Sequence, residues 1–491
     1  MAIVIGVDIG TTSTKVVAFD QNGQVMASAN HGYPLIQTQS DMAEEDPDAI
    51  FEAVCVGIHE IANQIDVSDL RGVSFSAAMH SVIVMDEHDH PLTNVLTWAD
   101  NRGAKFAERL RDTPQAKAIF AHTGVPIHPM SPLIKLMWLN HAMPGIMNQA
   151  AHIIGIKDYV WFRLFGEYVQ DYSLANATGL FDLQTQDWFP QSLALAGIST
   201  SQLPRLVPPT YQQTTWQVDL GLPVETPAFI GASDGVLSNL GVAAQKPGTV
   251  ALTIGTSAAI RTVVNKPVVE PDGCLFTYYL APGRYVVGGP VNNGGVVWQW
   301  AQKTFLPTGD LPALEQLITP IKAGADGLLF LPYLGGERAP LWDADARGSF
   351  IGLTKQTTQA TMARAVIEGL CFNLKAVLEM VSAVAGQPTV IHATGGFARS
   401  ALWKQMLCDI LNVPITLPDS FESSAFGAAV IAMQALGVID SLDDVEAMVG
   451  RTTTLTPGPN SPVYQRLWSI WQQMNQHLSG SYQALADFQR Q

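Results

Sequence analysis

An α/β fold in two large domains is what this chain predicts, on three observations. First, 491 residues exceed what one hydrophobic core usually spans, roughly 250–300 residues. Second, strand-like apolar runs alternate with helix-periodic segments along the whole length, which argues for layered α/β rather than a sandwich or a bundle. Third, the two halves open alike: Val7-Asp8-Ile9-Gly10-Thr11-Thr12-Ser13 and Leu252-Thr253-Ile254-Gly255-Thr256-Ser257 share Ile-Gly-Thr and a nearby Ser. The boundary is placed at Gly241–Pro247, where Gly, Lys and Pro interrupt the pattern, giving domains 1–245 and 246–491.

The elements follow in order. Ile3–Val7 is an apolar, β-rich run, Gly10-Thr11-Thr12-Ser13 a turn, and Lys15–Phe19 a second strand. Asp20-Gln21-Asn22-Gly23 supplies turn chemistry, Asn-Gly suiting positive φ, before a third strand at Gln24–Ala29. Asp46 can cap a helix with Pro47 in its first turn, and Ile50, Phe51, Val54, Ile58, Ile61 and Ile65 recur at helical spacing. Leu70–Ser76 and Val82–Met85 return to strand, Ser131 can cap a helix over Pro132–His141, and Ala228–Ile230 is another strand. In the second half, strands Thr249–Ile254 and Ala258–Val264 flank the 255–257 turn, and a helix starts at Val296–Trp300. Gly327–Leu331 and Thr389–Ala393 are strands; Thr358–Ala385, Ser400–Leu411 and Ser423–Leu436 are helices. The tail from about residue 462 is expected to be helical and peripheral.

Composition excludes several classes. At 47% hydrophobic and 8% aromatic the chain can bury a large core, so disorder is excluded. Charged residues are 14%, against roughly 25% in ordinary soluble domains, so much of the surface is neutral polar. Lys plus Arg number 27 against 43 Asp plus Glu, a net −16. A nucleic-acid backbone asks for the opposite sign, whereas a small anionic substrate needs only a local cationic pocket. Four scattered cysteines with no CxxC read as structural thiols of a reducing cytosol. With no cationic leader before its apolar start and no run of 18 apolar residues, a soluble cytoplasmic protein without a membrane partner is expected.

Several segments carry polar groups where chemistry needs them. Asp8-Ile9-Gly10-Thr11-Thr12-Ser13-Thr14-Lys15 ends a strand in a tight turn of small hydroxyl residues. Its N–H groups and hydroxyls can wrap a phosphate, Lys15 adds charge, and Asp8 can hold Mg²⁺; an ordinary hairpin turn is the plain alternative. The GxxxxGK[ST] phosphate loop is absent, because Gly-Lys never occurs. Gly231-Ala232-Ser233-Asp234-Gly235 admits Asp234 as a general base toward a hydroxyl, Ser233 as the nucleophile of a G-x-S-x-G elbow, or a plain turn. The elbow needs a later His, and only His392 and His477 follow. The two Gly-Thr hairpins serve a phosphotransferase and not a hydrolase, so Asp234 as base is preferred. Ala393-Thr394-Gly395-Gly396-Phe397-Ala398-Arg399-Ser400 and Asn292-Asn293-Gly294-Gly295 can let a ring or phosphate lie against the backbone at a helix start, or can be turns that simply need glycine. Ser76-Ala77-Ala78-Met79-His80-Ser81 and Thr97-Trp98-Ala99-Asp100-Asn101-Arg102 put polar groups at the ends of apolar runs, as a polyol site requires. A structural histidine at His80 and a surface ion pair at Arg102 are the alternatives. Met137, Trp138 and Leu139 read as core.

Together these residues resemble the FGGY carbohydrate kinases, of the actin, hexokinase and heat-shock-protein ATPase superfamily, over essentially the whole chain. Asp8 to Ser13 is similar to the N-terminal Asp-x-Gly-Thr-Thr-Ser string, and Met130-Ser131-Pro132-Leu133-Ile134-Lys135-Leu136-Met137-Trp138-Leu139 to the first signature. The second resembles Gly348-Ser349-Phe350-Ile351-Gly352-Leu353 running on to Arg364-Ala365-Val366-Ile367-Glu368-Gly369, and departs at Thr361, where the family prefers an acid, amide or His. Tyr333-Leu334-Gly335-Gly336-Glu337-Arg338-Ala339-Pro340-Leu341-Trp342-Asp343 also looks like the family. Within it, Met79-His80, the 97–102 and 123–132 segments and Gly395–Ser400 are most similar to gluconokinases, while xylulokinases share Met-His. Glycerol kinases carry Arg-Glu in place of Met79-His80 and Gln in place of Gly235, which disfavours glycerol.

The resemblance implies two ribonuclease-H-like domains around a central cleft, sugar mainly on the N-terminal one and ATP mainly on the C-terminal one. It implies ATP-dependent phosphorylation of D-gluconate to 6-phospho-D-gluconate, with D-xylulose to xylulose 5-phosphate as the alternative. Asp234 is then the base, Asp8 the Mg²⁺ ligand, and Thr11, Thr12, Ser13, Lys15 and Thr256 the phosphate contacts. Gly295, Gln299, Gly396 and Ser400 would line the nucleotide, Ser400 standing where several relatives carry Asn. Met79, His80, Asp100, Met130 and Gly235 would line the sugar, and Arg102, His128 and Lys135 are candidates for an acid group on it. Homodimers are common in such families. A non-enzymatic sugar-sensing protein would keep the hairpins and need no Asp234.

Overall fold

The computed structural model describes residues 2–418, 422–450 and 453–490. The chain forms two compact units: Met1–Gln245 with Val264–Val286 and Glu422–Gly450, and Lys246–Val263 with Val287–Phe421 and Arg451–Gln491.

The first unit is built on a six-stranded sheet. Its strands are β1 (Ile3–Ile9), β2 (Ser13–Asp20), β3 (Val25–Gly32), β4 (Leu70–Ala77), β5 (Gln212–Gln213) and β6 (Ala228–Ser233), in the order β5-β6-β4-β1-β2-β3. β1, β2 and β3 form an antiparallel meander, while β4 runs parallel to β1 and β6 parallel to β4. β1 outruns its predicted end at Val7 because Asp8 and Ile9 still pair with Ser76 and Ala77. Its alternate residues Ile3, Ile5, Val7 and Ile9 enter one core with Ile50, Val54 and Ile58 of α1 (Pro47–Ala62), the period-two burial of a strand against a helix. Asp46 caps α1 as expected, accepting from the Asp48 and Ala49 N–H groups.

Four further helices position the site: α2 (Pro132–Ala142), α3 (Ile156–Phe165), α4 (Tyr172–Ala177) and α5 (Asp234–Gly241). Ser131 precedes α2, but its hydroxyl donates to Thr178 O (2.9 Å) instead of capping the helix. A serine Oγ satisfied across the fold has no call to turn back on its own backbone.

The second unit repeats the plan. β7 (Thr249–Ile254), β8 (Ala258–Val264), β9 (Arg284–Val291), β10 (Val390–Gly395), β11 (Ile415–Leu417) and β12 (Thr453–Leu455) lie in the order β9-β8-β7-β10-β11-β12. β7 and β8 are antiparallel, whereas β10 runs parallel to β7 and β11 to β10. The Gly-Thr hairpins at 10–12 and 255–257 thus join the same two strands of a repeated sheet. α6 (Gly295–Phe305), α7 (Gln359–Ala385, capped by Thr358) and α8 (Ala401–Leu411) belong to this unit.

α9 (Ser423–Ala435) belongs to the first unit. It lies so close to the far side of β1 that a Cβ on Gly6 would stand 2.0 Å from Ala425 O. Phe426 meets Phe19 at 5.1 Å between ring centroids. The tail forms α10 (Ser461–Ser479) and α11 (Tyr482–Gln489), and it is more than peripheral. Tyr464, Trp468 and Trp471 recur at helical spacing, Phe372 stacks on both tryptophans, and Trp471 donates to Phe330 O at 3.1 Å. Among the described residues no helix is long and apolar enough to cross a membrane.

Candidate active site

Three parallel strands of the first unit end together. Register pairs Asp8 with Ser76 and Ala77 with Ser233, so the carboxyl ends of β1, β4 and β6 present Asp8, Ser76 and, one residue on, Asp234. Open α/β sheets bind ligands off such ends. A Cβ on Gly231 would stand 1.9 Å from Phe75 O, so this glycine, at φ 66°, is what lets β6 bulge against β4 just before Asp234. Asp234 is the first residue of α5 rather than part of a free turn, and Gly235 N–H donates to its Oδ1 at 2.7 Å. The positive end of that helix favours its ionised form. Ser233, by contrast, is fully buried and shares a 2.9 Å hydrogen bond with Ser173 Oγ. A nucleophile must reach substrate, so the elbow reading is overturned.

Ser76 Oγ donates to Asp8 Oδ1 at 2.7 Å. Burial first, and the Asp234 carboxylate second, push Asp8 up to about 7, against the Ser76 hydrogen bond and the Lys15 charge. A carboxyl group pushed up by a neighbouring carboxylate forms an arrangement that a divalent cation relieves, so these residues fit Mg²⁺. Among the described residues no cluster of three or more His, Cys, Asp or Glu side chains forms a self-contained metal cage; the ion would draw its other ligands from phosphates.

The hairpin after β1 is closed by Gly10 N–H to Ser13 O (3.0 Å) and braced by Tyr33, whose hydroxyl donates to Gly10 O (2.6 Å) and whose N–H donates to Thr12 O (3.2 Å). Thr11 Oγ1 accepts from Trp98 Nε1 at 2.9 Å, and Thr12 is exposed. Lys15 pairs with Glu422 at 2.9 Å, so a phosphate would have to share that ammonium.

The expected sugar contacts fall into two groups. Met79 and His80 follow β4 directly, and buried His80 sits at φ 71°, an uncommon conformation for a residue with a Cβ. Its Nδ1 lies 2.8 Å from Ala177 O and its Nε2 3.4 Å from the Tyr278 hydroxyl. Lys135 is fully buried and donates to His80 O at 2.9 Å and also to Met130 O, tying the two loops together. Burial lowers it to about 7. His128 Nδ1 accepts from Met130 N–H at 3.2 Å. In the second group Arg102 lies 2.7 Å from Asp100 and 2.5 Å from Glu44, and stacks on Trp138 at 4.4 Å. Asp100 also accepts from Ala43 N–H at 3.1 Å. The structure thus gathers His80, Met130 and Lys135, and pairs Asp100 and Arg102 with Glu44, near enough for the Asp100 and Arg102 charges to act on Lys135.

In the second unit the 255–257 hairpin receives the start of α6. Gly295 N–H donates to Gly255 O (2.7 Å) and Val296 N–H to Thr256 O (3.1 Å). A Cβ on Gly294 would lie 2.5 Å from Ser257 backbone atoms, and one on Gly295 2.6 Å from Gly255 O, so only glycines permit this seating. Ile254 pairs with Gly395, which brings the 395–396 turn to the same end of the sheet. Gly396 is exposed, and a Cβ there would meet nothing within 4 Å. Thr256, Gly295 and Gly396 therefore share one open rim, with Gln299 exposed one turn along α6. Ser400 spends its hydroxyl capping α8, accepting from Trp403 N–H at 3.0 Å.

Sequence reasoning missed Lys157 and Asp171, a fully buried ion pair at 2.7 Å. Lys157 Nζ also donates to Ala232 O at 3.0 Å, two residues before Asp234, whose charge it feels. The available signal was a lysine inside the apolar run Ile156-Lys157-Asp158-Tyr159-Val160-Trp161; its partner Asp171 lies outside that run.

The profile of the FGGY family of carbohydrate kinases, N-terminal domain, matches residues 3–241, and that of the C-terminal domain matches residues 250–436. The chain is 44% identical to the gluconokinase of Bacillus subtilis (strain 168) over 99% of its own length and 98% of that protein's. Among solved structures it is similar to gluconate kinase from Lactobacillus acidophilus, with a TM-score of 0.96, 39% identity and 99% of each chain covered. It is as similar to ligand-bound xylulose kinase from Lactobacillus acidophilus, with a TM-score of 0.96, 39% identity and 99% and 100% of the two chains covered.

Proposed function

The chain belongs to the FGGY family of carbohydrate kinases, and on that footing we propose that it transfers the γ-phosphoryl group of ATP to D-gluconate, giving 6-phospho-D-gluconate and ADP. The observation that carries the reaction class is the pair Asp8 and Asp234 at the ends of β1 and β6. The choice of acceptor rests on the likeness to the Bacillus subtilis gluconokinase. D-xylulose is the second reading, favoured by the equal likeness to a structure described as ligand-bound xylulose kinase.

Asp234 accepts the proton of the C6 hydroxyl while that oxygen forms its bond to the γ-phosphorus and the bond to the β-phosphate oxygen breaks. Phosphoryl transfer asks the protein mainly for positioning and charge stabilisation, which suits turns of small residues and one base. When bound, Mg²⁺ supplies charge neutralisation at the phosphates, and Asp8 is the side chain that would hold it. Thr11, Thr12, Ser13 and Thr256 offer hydroxyls and N–H groups to the phosphate, with Lys15 shared between it and Glu422. Gly295, Gln299 and Gly396 line the nucleotide, and Ser400 acts there through the cap of α8. Met79, His80, Met130 and Gly235 line the sugar. Arg102, His128 and Lys135 are the candidates for its acid group; the Arg102 charge would be shared with Asp100 and Glu44, and Lys135 with two carbonyls. The cytoplasm is the proposed location, and a homodimer the proposed assembly.

The test is an ADP-release assay with MgATP across D-gluconate, D-xylulose, ribulose, glycerol and a blank without sugar. Turnover with D-gluconate well above every other acceptor is expected. Turnover with D-xylulose instead would keep the reaction class and replace the acceptor.

A further inference from the structure

Glu337 lies in the Gly335-Gly336-Glu337-Arg338-Ala339-Pro340 segment, is 2% exposed, and is not one of the nucleotide or phosphate contacts. Four N–H groups converge on its carboxylate. Oε1 accepts from the backbone of Asn292 (2.5 Å) and of Arg338 (2.9 Å), and Oε2 from the side-chain amides of Asn293 (3.0 Å) and Asn373 (2.8 Å). Asn293 is held at its other positions too: its amide also donates to Gly336 O (2.7 Å) and its Oδ1 accepts from Leu334 N–H (3.1 Å). Arg338 adds Nε to Asn292 Oδ1 at 2.8 Å. Segment 291–293 is therefore laced to 334–338 and, through Asn373, to α7. The next two residues are Gly294 and Gly295, which seat the first turn of α6 on the 255–257 hairpin.

We infer that Glu337 is a positioning residue for the nucleotide: by gathering Asn292, Asn293 and Asn373 round one carboxylate it fixes where the chain enters α6, and so the seating of Gly294 and Gly295 on the hairpin. This rests on the proposed nucleotide role of Thr256 and Gly295, and adds a residue that works through them rather than on the reacting atoms.

The chemistry explains why an acid stands here. Four donors converging on two oxygens are satisfied only by an ionised, acceptor-only group. Glutamine in its place would present an N–H to Asn293 or Asn373. Asn373 can answer by rotation, since its Oδ1 is buried without a hydrogen-bond partner. Asn293 cannot, because rotation would forfeit its bonds to Gly336 O and Leu334 N–H. Protonation of Glu337 sets the same conflict. Burial is the main cause that pushes it up to about 7, opposed by the Asn293, Asn292 and Arg338 hydrogen bonds and by the Arg338 charge. Tyr333 shares its surroundings, Asp343 meets it through backbone bonds, and the residues facing it from 292–293 and from α7 are uncharged asparagines.

The experiment is steady-state ADP release by wild type, Glu337→Gln and Gly295→Ala, with MgATP and the acceptor that turns over best varied separately, from pH 6 to pH 8.5. Thermal melts check that each variant is folded. At pH 8, Glu337→Gln is expected to raise the KM for MgATP about tenfold, the scale of one lost charge-assisted hydrogen bond, and to leave the acceptor KM within about twofold. In wild type the MgATP KM should rise as pH falls through about 7, and in Glu337→Gln it should rise less steeply, by the share that Asp8, also near 7, contributes in both. If Glu337→Gln does not fold, the wild-type profile and Glu337→Asp, which keeps the carboxylate, decide by the same criterion. An unchanged MgATP KM, an equal rise in both KM values, or a pH dependence as steep in the glutamine variant as in wild type overturns the inference. If Gly295→Ala also leaves the MgATP KM unchanged, the nucleotide reading itself falls; if Gly295→Ala raises it and Glu337→Gln does not, only the positioning role falls.

Discussion

At the scale of single residues, Lys157 and Asp171 carry the largest energetic stake near the proposed base. Both are fully buried, 2.7 Å apart, and Lys157 anchors Ala232 O just before Asp234. Burial lowers Lys157, while the Asp171 carboxylate acts to keep it charged. Removing one partner of a buried pair strands the other charge, at a cost of roughly 3–5 kcal/mol. Lys157→Met should lose stability on that scale in urea melts. It should also raise the apparent pKa of the acid limb in the kcat profile, because a positive charge that Asp234 feels is gone. An unshifted acid limb would limit Lys157 to a structural role. Ser233→Ala should keep turnover within about twofold, since it removes one hydroxyl contact from a buried serine. The places of Asp8 and Asp234 at strand ends were legible in the sequence, Asp8 before Gly-Thr-Thr-Ser and Asp234 after Gly-Ala-Ser, but that Asp234 opens a helix was not. Lys157 was not, because a lysine at helical spacing reads as a solvated side chain until packing buries it.

At the scale of elements, local signals did well and distant ones were silent. Asp46 and Pro47 marked the start of α1, Thr358 the start of α7, and the two hairpins fell where Gly-Thr placed them. Ser131 misled because its hydroxyl bonds Thr178 O across the fold. Nothing local announces that α9 packs on β1, more than 400 positions earlier, or that it crosses α5 at backbone contact. A Cβ on Gly427 would stand 2.1 Å from Leu237 O. Gly427→Ala should therefore destabilise the protein by about 1–3 kcal/mol, the usual cost of overpacking, and chemical denaturation checks it. A neutral effect would contradict the close approach of the two helices.

At the scale of the whole molecule, the repeat of one sheet plan was legible from seven residues in the first half and six in the second. The return of 264–286 and 422–450 to the first unit rests on long-range packing that periodicity does not carry. Buried acids set the pH response. Burial, the largest cause in each case, pushes Glu45 and Asp158 up to about 8 and Glu337 to about 7, above ordinary values of 4.5, 3.8 and 4.5. The folded chain thus holds protons that the unfolded chain releases, so their stabilisation is full below about pH 4 and is lost as pH rises through 7–8. Lys135, lowered by burial to about 7 from 10.5, works the other way, and only above pH 7. The Tm should therefore fall between pH 5 and pH 7; a flat or rising Tm over that range would contradict this balance.

The central claim is that Asp234 is the base of a phosphotransfer to a sugar hydroxyl. Asp234→Asn tests it most directly, with turnover followed by ADP release and nucleotide affinity by titration of the same sample with MgATP. Loss of kcat by roughly 10²–10⁴-fold, with the MgATP Kd unchanged within about twofold, is the result this account requires. A variant that kept most of its kcat would contradict it.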